Sequence, residues 1–173
     1  MRRLVFVLTL ALLAGGCWKK RVKYLSQAEF DHYYALRPFM DEDMQKGFLK
    51  GKTEDQRNLY LKTHMYQEHP LWDLFYQYDE AQRAAIVAGE VARGWTKDMV
   101  LMAWGPPYDK KKLAGRQAVR SELLIYRFEV QEDGTVMVYD PEQGSSYHAR
   151  RRFSREVTLD DNAVTEISER EGW

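Results

Sequence analysis

The side chains best suited to chemistry are four histidines, His32, His64, His69 and His148, and a single cysteine, Cys17. Zinc motifs place two histidines four apart on one helix face and add a third ligand. His64 and His69 are five apart with Glu68 beside the second, so no metal site is expected. Acidic runs at Asp41-Glu42-Asp43 and Asp160-Asp161 fall where a helix starts and where a strand turns, which explains them without proton transfer. The chain has neither a Gly-x-Ser-x-Gly elbow nor a glycine-rich phosphate loop. The expectation is a non-enzymatic protein with no catalytic residues and no cofactor.

The cysteine stands at the end of a distinctive leader. Arg2 and Arg3 are followed by an apolar stretch from Leu4 to Leu13, then by Ala14-Gly15-Gly16 and Cys17. A charged start, a short apolar run and small residues before a cut site make a secretory signal. The apolar run is well short of the roughly 20 residues that span a bilayer as a helix. In an exported chain a lone cysteine has no intramolecular disulfide partner. The segment resembles a bacterial lipobox, with Ala14 where that box prefers leucine and Leu13 one step earlier. The resemblance implies cleavage before Cys17 and acylation of that residue, with residues 1–16 as signal peptide. Several acyl chains on one residue suffice for stable anchoring. Trp18 stands where an inner-membrane retention signal would place Asp, which implies outer-membrane delivery, facing the periplasm.

Removing residues 1–16 takes away Arg2 and Arg3, leaving 24 basic against 26 acidic residues, a net charge of −2. A general nucleic-acid binder would need a broad basic surface, so nucleic acid is excluded as a partner. The 157 residues that remain suffice for one domain with a real core. Five Trp, eleven Tyr and seven Phe supply that core and could also build an aromatic interaction face.

The elements that must position these groups are legible in the punctuation. Residues 17–25 read as a tether whose Lys19, Lys20, Arg21 and Lys23 are solvated or meet anionic headgroups. From 26 to 106 the chain reads as helical, beginning at the capping boxes Ser26-Gln27-Ala28-Glu29 and Thr53-Glu54-Asp55-Gln56 and at Asp79-Glu80-Ala81-Gln82. Apolar spacing continues through Leu59, Leu61 and Met65. Gly94 suits a helix-ending left-handed position, Thr96 an N-cap and Asp98 the first turn. Trp95 and Val100 stand at the staple positions, and Gly105-Pro106-Pro107 stops the helix after Trp104. Strands follow over 121–168. Leu124, Tyr126, Phe128 and Val130 share one face, Asp133-Gly134 marks a hairpin, and Tyr147 to Leu159 and Ala163 to Ile167 alternate. The expectation is a single α+β domain over 26–173, helices first, then an antiparallel meander of three to four strands.

Two envelope families share parts of this pattern. Gly94, Thr96, Val100, Gly105 with Pro107, Ile125-Tyr126 and the closing run Val157 to Val164 resemble the C-terminal half of BamE/SmpA-type outer-membrane assembly lipoproteins. Gly94-Trp95-Thr96-Lys97-Asp98 and Gly105-Pro106-Pro107-Tyr108-Asp109 resemble GWxTD-domain proteins, with Lys97 at the namesake Thr. Upstream, Phe39 to Asp43 and Phe48 to Arg57 resemble the helix pair that precedes that motif, although the Arg-Asp-Pro and Asn-Glu elements are missing. The resemblances imply a scaffold or accessory factor in envelope assembly, working through protein–protein contact. A periplasmic ligand- or cell-wall-binding module is the alternative.

Two basic clusters complete the candidates. Asp109-Lys110-Lys111-Lys112 reads as a loop, and Arg150, Arg151, Arg152 and Arg155 fall on a strand. These arginines either form a solvated, edge-protecting face or contact an anionic partner. The Gly94, Trp95, Asp98, Trp104, Gly105, Pro106 and Pro107 motif is structural, with a possible share in an interaction.

Overall fold

A computed structural model describes residues 19–141 and 148–173. Cys17, Trp18 and Tyr147 lie outside the described residues, so the signal peptide and the lipidation site do too. The chain divides into two compact units, Met1–Asp79 and Glu80–Trp173, where the sequence reading drew one domain from 26 to 173.

The first unit is mainly helical. A 3-10 helix over Lys19–Tyr24 opens it, followed by α1 (Gln27–Leu36), α2 (Glu42–Lys50), α3 (Glu54–Thr63) and α4 (Leu71–Tyr76). Each start follows from a local oxygen. Ser26 accepts from the Glu29 N–H while the Glu29 carboxylate accepts from the Ser26 N–H, a complete capping box. Asp41 accepts from the Met44 N–H at 2.8 Å, and Thr53 from the Gln56 N–H. The Gln56 side chain reaches the Lys52 N–H rather than Thr53, so that box is completed one residue early. Leu36, Phe48, Leu61 and Leu71 are fully buried.

The helical run expected here is interrupted by a two-stranded ladder, β1 (Met65–Tyr66) with β2 (His69–Pro70). Gln67 and Glu68 both adopt positive φ, the geometry of a tight mirror-image turn, although neither is one of the residues that favour it. Met65 is thus a strand residue and 46% exposed, outside the helical apolar set. The segment expected to be a free tether is also different. It is a 3-10 helix pinned where the Arg21 guanidinium donates to the Leu49 carbonyl at 3.3 Å.

The second unit holds α5 (Glu80–Val87), α6 (Lys97–Trp104) and a five-stranded antiparallel sheet. Its strands are β3 (Asp109–Lys112), β4 (Ser121–Val130), β5 (Val136–Val138), β6 (Arg151–Asp160) and β7 (Ala163–Glu171). Helices followed by an antiparallel sheet are what the sequence reading expected. The sheet is wider than three or four strands, and its order is β3-β4-β6-β7 with β5 also on β4. β3 pairs with residues 122–125 of β4 and β5 with residues 128–130, while β6 runs along the other side of β4. The chain therefore crosses from one side of β4 to the other between β5 and β6, and is not a simple meander. The run Asp109 to Lys112 is an edge strand, not a loop. Three exposed lysines there suit an edge that must not pair with other chains.

Alternation on β4 sends Leu124, Tyr126 and Phe128 into a core shared with Val100, Trp104, Phe153, Val157, Leu159 and Val164. The β6–β7 hairpin turns on Asp161 and Asn162, both at positive φ.

Candidate functional site

The bracketed segment from Gly94 to Pro107 is built into the core of the second unit. Thr96 accepts from the Met99 N–H at 3.4 Å, and Gly105 ends α6 at φ +76°. Trp95 packs against the cluster that holds Val100, as a staple requires. Gly94 has the expected left-handed φ of +84°, but it does not end α5. That helix stops at Val87, and Gly89 caps it: the Gly89 and Glu90 N–H groups return to the Ile86 and Ala85 carbonyls. Gly94 instead donates to the Val164 carbonyl, joining this segment to the start of β7. The Trp104 indole N–H donates to the Gly89 carbonyl at 2.7 Å, and its ring meets Tyr126 and Phe128 edge-on. The Tyr126 hydroxyl donates to the Gly105 carbonyl at 3.1 Å, and burial pushes its pKa up. Burial also raises the Asp98 carboxyl, against the opposing effect of Lys97. Pro106 is exposed and Pro107 half-buried.

The four candidate arginines do not form one face; Arg151 and Arg155 meet on Glu169, and the other two lie apart from them. Arg150 lies in a bend before β6. Arg151 and Arg155 share the core-facing side with Phe153, and Arg152 takes the opposite side. Each of the three on the strand meets a carboxylate: Arg151 with Glu169 and Glu171, Arg155 with Glu169, Arg152 with Glu129. Arg155 lies over the Trp104, Phe128 and Phe153 rings, closing the core at that end. Edge protection is not their role, because β6 has partners on both sides.

A different constellation occupies the face of the sheet turned away from that core. Arg127 alternates with Tyr126 and Phe128 and so points to the opposite side. Its guanidinium lies 3.5 Å from the Tyr108 ring centroid and 4.8 Å from that of Trp173. Tyr139 completes the group, with centroids 6.1 Å from Tyr108 and 4.7 Å from Trp173. Three bonds to backbone carbonyls hold it in place: Tyr139 N–H to the Arg127 carbonyl, Trp173 indole N–H to the Phe128 carbonyl, and Gly172 N–H to the Arg152 carbonyl. Arg152 reaches the Trp173 ring from 5.3 Å while bonded to buried Glu129. Tyr108 and Trp173 remain 43% and 38% exposed.

Among the described residues the Arg127 guanidinium meets rings and no carboxylate. Arg116, Arg151, Arg152, Arg155 and Arg170 all pair with acids of the same sheet. A guanidinium held over aromatic rings still has N–H donors that suit a planar oxyanion. The aromatic content by itself is accounted for by a core or by an interaction face and does not place this cluster. Alternation along β4 was the available signal for Arg127; nothing local ties Tyr108, Tyr139 and Trp173 to it.

The histidines are dispersed. His64 Nδ1 lies 2.9 Å from the Tyr60 carbonyl and its ring stacks on Tyr60, while His69 sits in β2 and His148 is exposed. Among the described residues no three His, Cys, Asp or Glu side chains are grouped to hold a metal ion. Among them also, no helix is long and apolar enough to cross a membrane. Comparison with protein-family models, curated proteins and solved structures returns no match.

Proposed function

We propose that this chain is an outer-membrane lipoprotein, cut before Cys17 and held by acyl chains on that residue. In this reading it faces the periplasm and acts without catalysis, as a scaffold or accessory factor in envelope assembly through protein–protein contact. The observation that supports contact as its work is the Arg127 patch. Arginine, tyrosine and tryptophan dominate binding hot spots because they combine large rigid area with directional donors. Here they are gathered on an exposed sheet face, with an arginine whose donors suit an acidic side chain of a partner.

Purification from detergent-solubilised outer membrane tests the reading, with wild type and Arg127→Glu compared. Specific envelope proteins recovered with the wild type and lost from the variant are expected. Recovery of the wild-type chain alone overturns it. Binding of isolated cell-wall glycan, unaffected by the presence of envelope proteins, would favour a ligand-binding module instead.

A further inference from the structure

The start of the first unit carries a surface of unusual composition. An open groove of about 580 Å³ is lined by Lys19, Lys20, Val22, Lys23, Leu25, Gln27 and Phe30. Its lining thus holds three lysines, an apolar floor and no carboxylate. The 3-10 geometry explains the arrangement, because side chains three apart eclipse one another. Lys20 and Lys23 form one row, and Lys19, Val22 and Leu25 another. The third row begins with Arg21, which is turned to the end of α2 by its bond to the Leu49 carbonyl. The Lys20–Lys23 row and the mixed Lys19–Val22–Leu25 row are left to the groove, with Phe30 beside them at 38% exposure.

Reach supplies the second argument. Lys19 is two residues from Cys17, and two residues span at most ~7 Å even fully extended. Because Lys19–Tyr24 is folded against α2, this segment offers no slack. Acyl chains on Cys17 would therefore hold this face within reach of the lipid headgroups.

We propose that the Lys19–Phe30 face of the first unit lies against the anionic phospholipid headgroups of the membrane that holds the acyl chains. The inference rests on the lipidation reading above and adds an orientation to it. The lysines meet headgroup phosphates, while Val22, Leu25 and Phe30 contact the boundary with the acyl region.

The test uses an acyl-free chain of residues 18–173 and vesicles of phosphatidylcholine, with or without about one-third phosphatidylglycerol. Co-sedimentation with the phosphatidylglycerol vesicles only is expected. Replacing Lys19, Lys20 and Lys23 together with Gln should weaken that binding about a hundredfold, since each cation near an anionic surface is worth roughly a factor of five. The same three changes at Lys110, Lys111 and Lys112 should leave it intact, and circular dichroism checks that both variants fold. Equal losses in the two variants, equal binding to neutral vesicles, or no binding at all overturns the proposal. Incorporation of labelled palmitate in cells, compared between wild type and Cys17→Ser, reads the anchor separately. Its absence would remove the lipidation reading whatever the vesicles show.

Discussion

Glu29 and Arg57, 28 positions apart in sequence, meet through two parallel bonds, Nε to Oε1 at 2.5 Å and Nη2 to Oε2 at 2.9 Å. The pair is buried, and both partners have further bonds. Glu29 accepts from the Ser26 N–H, and Arg57 donates to the Gly51 carbonyl. One carboxylate thus caps α1 and ties it to α3. Burial alone would raise the Glu29 carboxyl, but the Arg57 and Ser26 bonds outweigh it and hold the pKa below the ordinary value.

Glu29→Ala should destabilise the first unit by about 3–5 kcal/mol, because it strands a buried guanidinium. Replacing both partners, as Glu29→Leu with Arg57→Met, should cost much less. Urea unfolding followed by circular dichroism measures both. A single variant as stable as wild type would show that the pair contributes nothing.

Acid should weaken the same unit through a second group. His32 is 2% exposed, its Nδ1 lies 2.7 Å from the Tyr76 hydroxyl, and the rings of Phe48, Trp72 and Tyr76 surround it. Burial lowers its pKa to about 4. The unfolded chain then binds a proton near pH 6.5 that the folded chain refuses until about 4, so stability falls as pH drops through that window. The loss approaches about 3 kcal/mol below the window. Thermal midpoints measured across it should decline less in His32→Gln than in wild type; parallel slopes would exclude His32 as the cause.

Trp104 ties α6 to the Schellman turn after α5. Trp104→Phe keeps most of the ring area but removes the donor to the Gly89 carbonyl. A cost of about 1–3 kcal/mol in equilibrium unfolding is expected, from the lost bond and a carbonyl left without it. An unchanged unfolding midpoint would mean that solvent replaces the bond.

At the exposed patch the expectation is the reverse, loss of binding without loss of fold. Arg127→Gln and Tyr108→Ala should shift the thermal midpoint little, since exposed cation–π contacts are worth about 0.5–1 kcal/mol. Both should lose the envelope proteins recovered with the wild type. Melting scans beside quantitative co-purification measure the two effects, and a collapse of the midpoint would assign the cluster to folding instead.

The local features were legible because they depend on neighbours in sequence. Ser26, Thr53 and Thr96 cap the helices that follow them because a short side-chain oxygen reaches an N–H three residues on. Leu124, Tyr126 and Phe128 reach the core because strand side chains alternate. Asp133-Gly134 turns the β4–β5 hairpin, with Gly134 at φ +87°. The ladder of β1 and β2 was hidden because Gln67 and Glu68 are poor turn signals. The edge strand β3 was hidden because four charged residues resemble a loop until β4 offers its hydrogen bonds.

The residues alone therefore determined where α1, α3 and α6 start, which side of β4 is apolar, and that the cysteine has no partner within the chain. Only the tertiary structure decided which charges are neutralised and which are left facing outward. Arg151, Arg152 and Arg155 look like one basic run, yet strand pairing sets each against a glutamate far away in sequence. Arg127 looks like an ordinary strand residue, yet register and chain return bring the Tyr108 and Trp173 rings beneath its guanidinium. The physical reason is that ion pairs and ring contacts act over a few ångströms of space, and the distances that matter are set by packing, not by position along the chain.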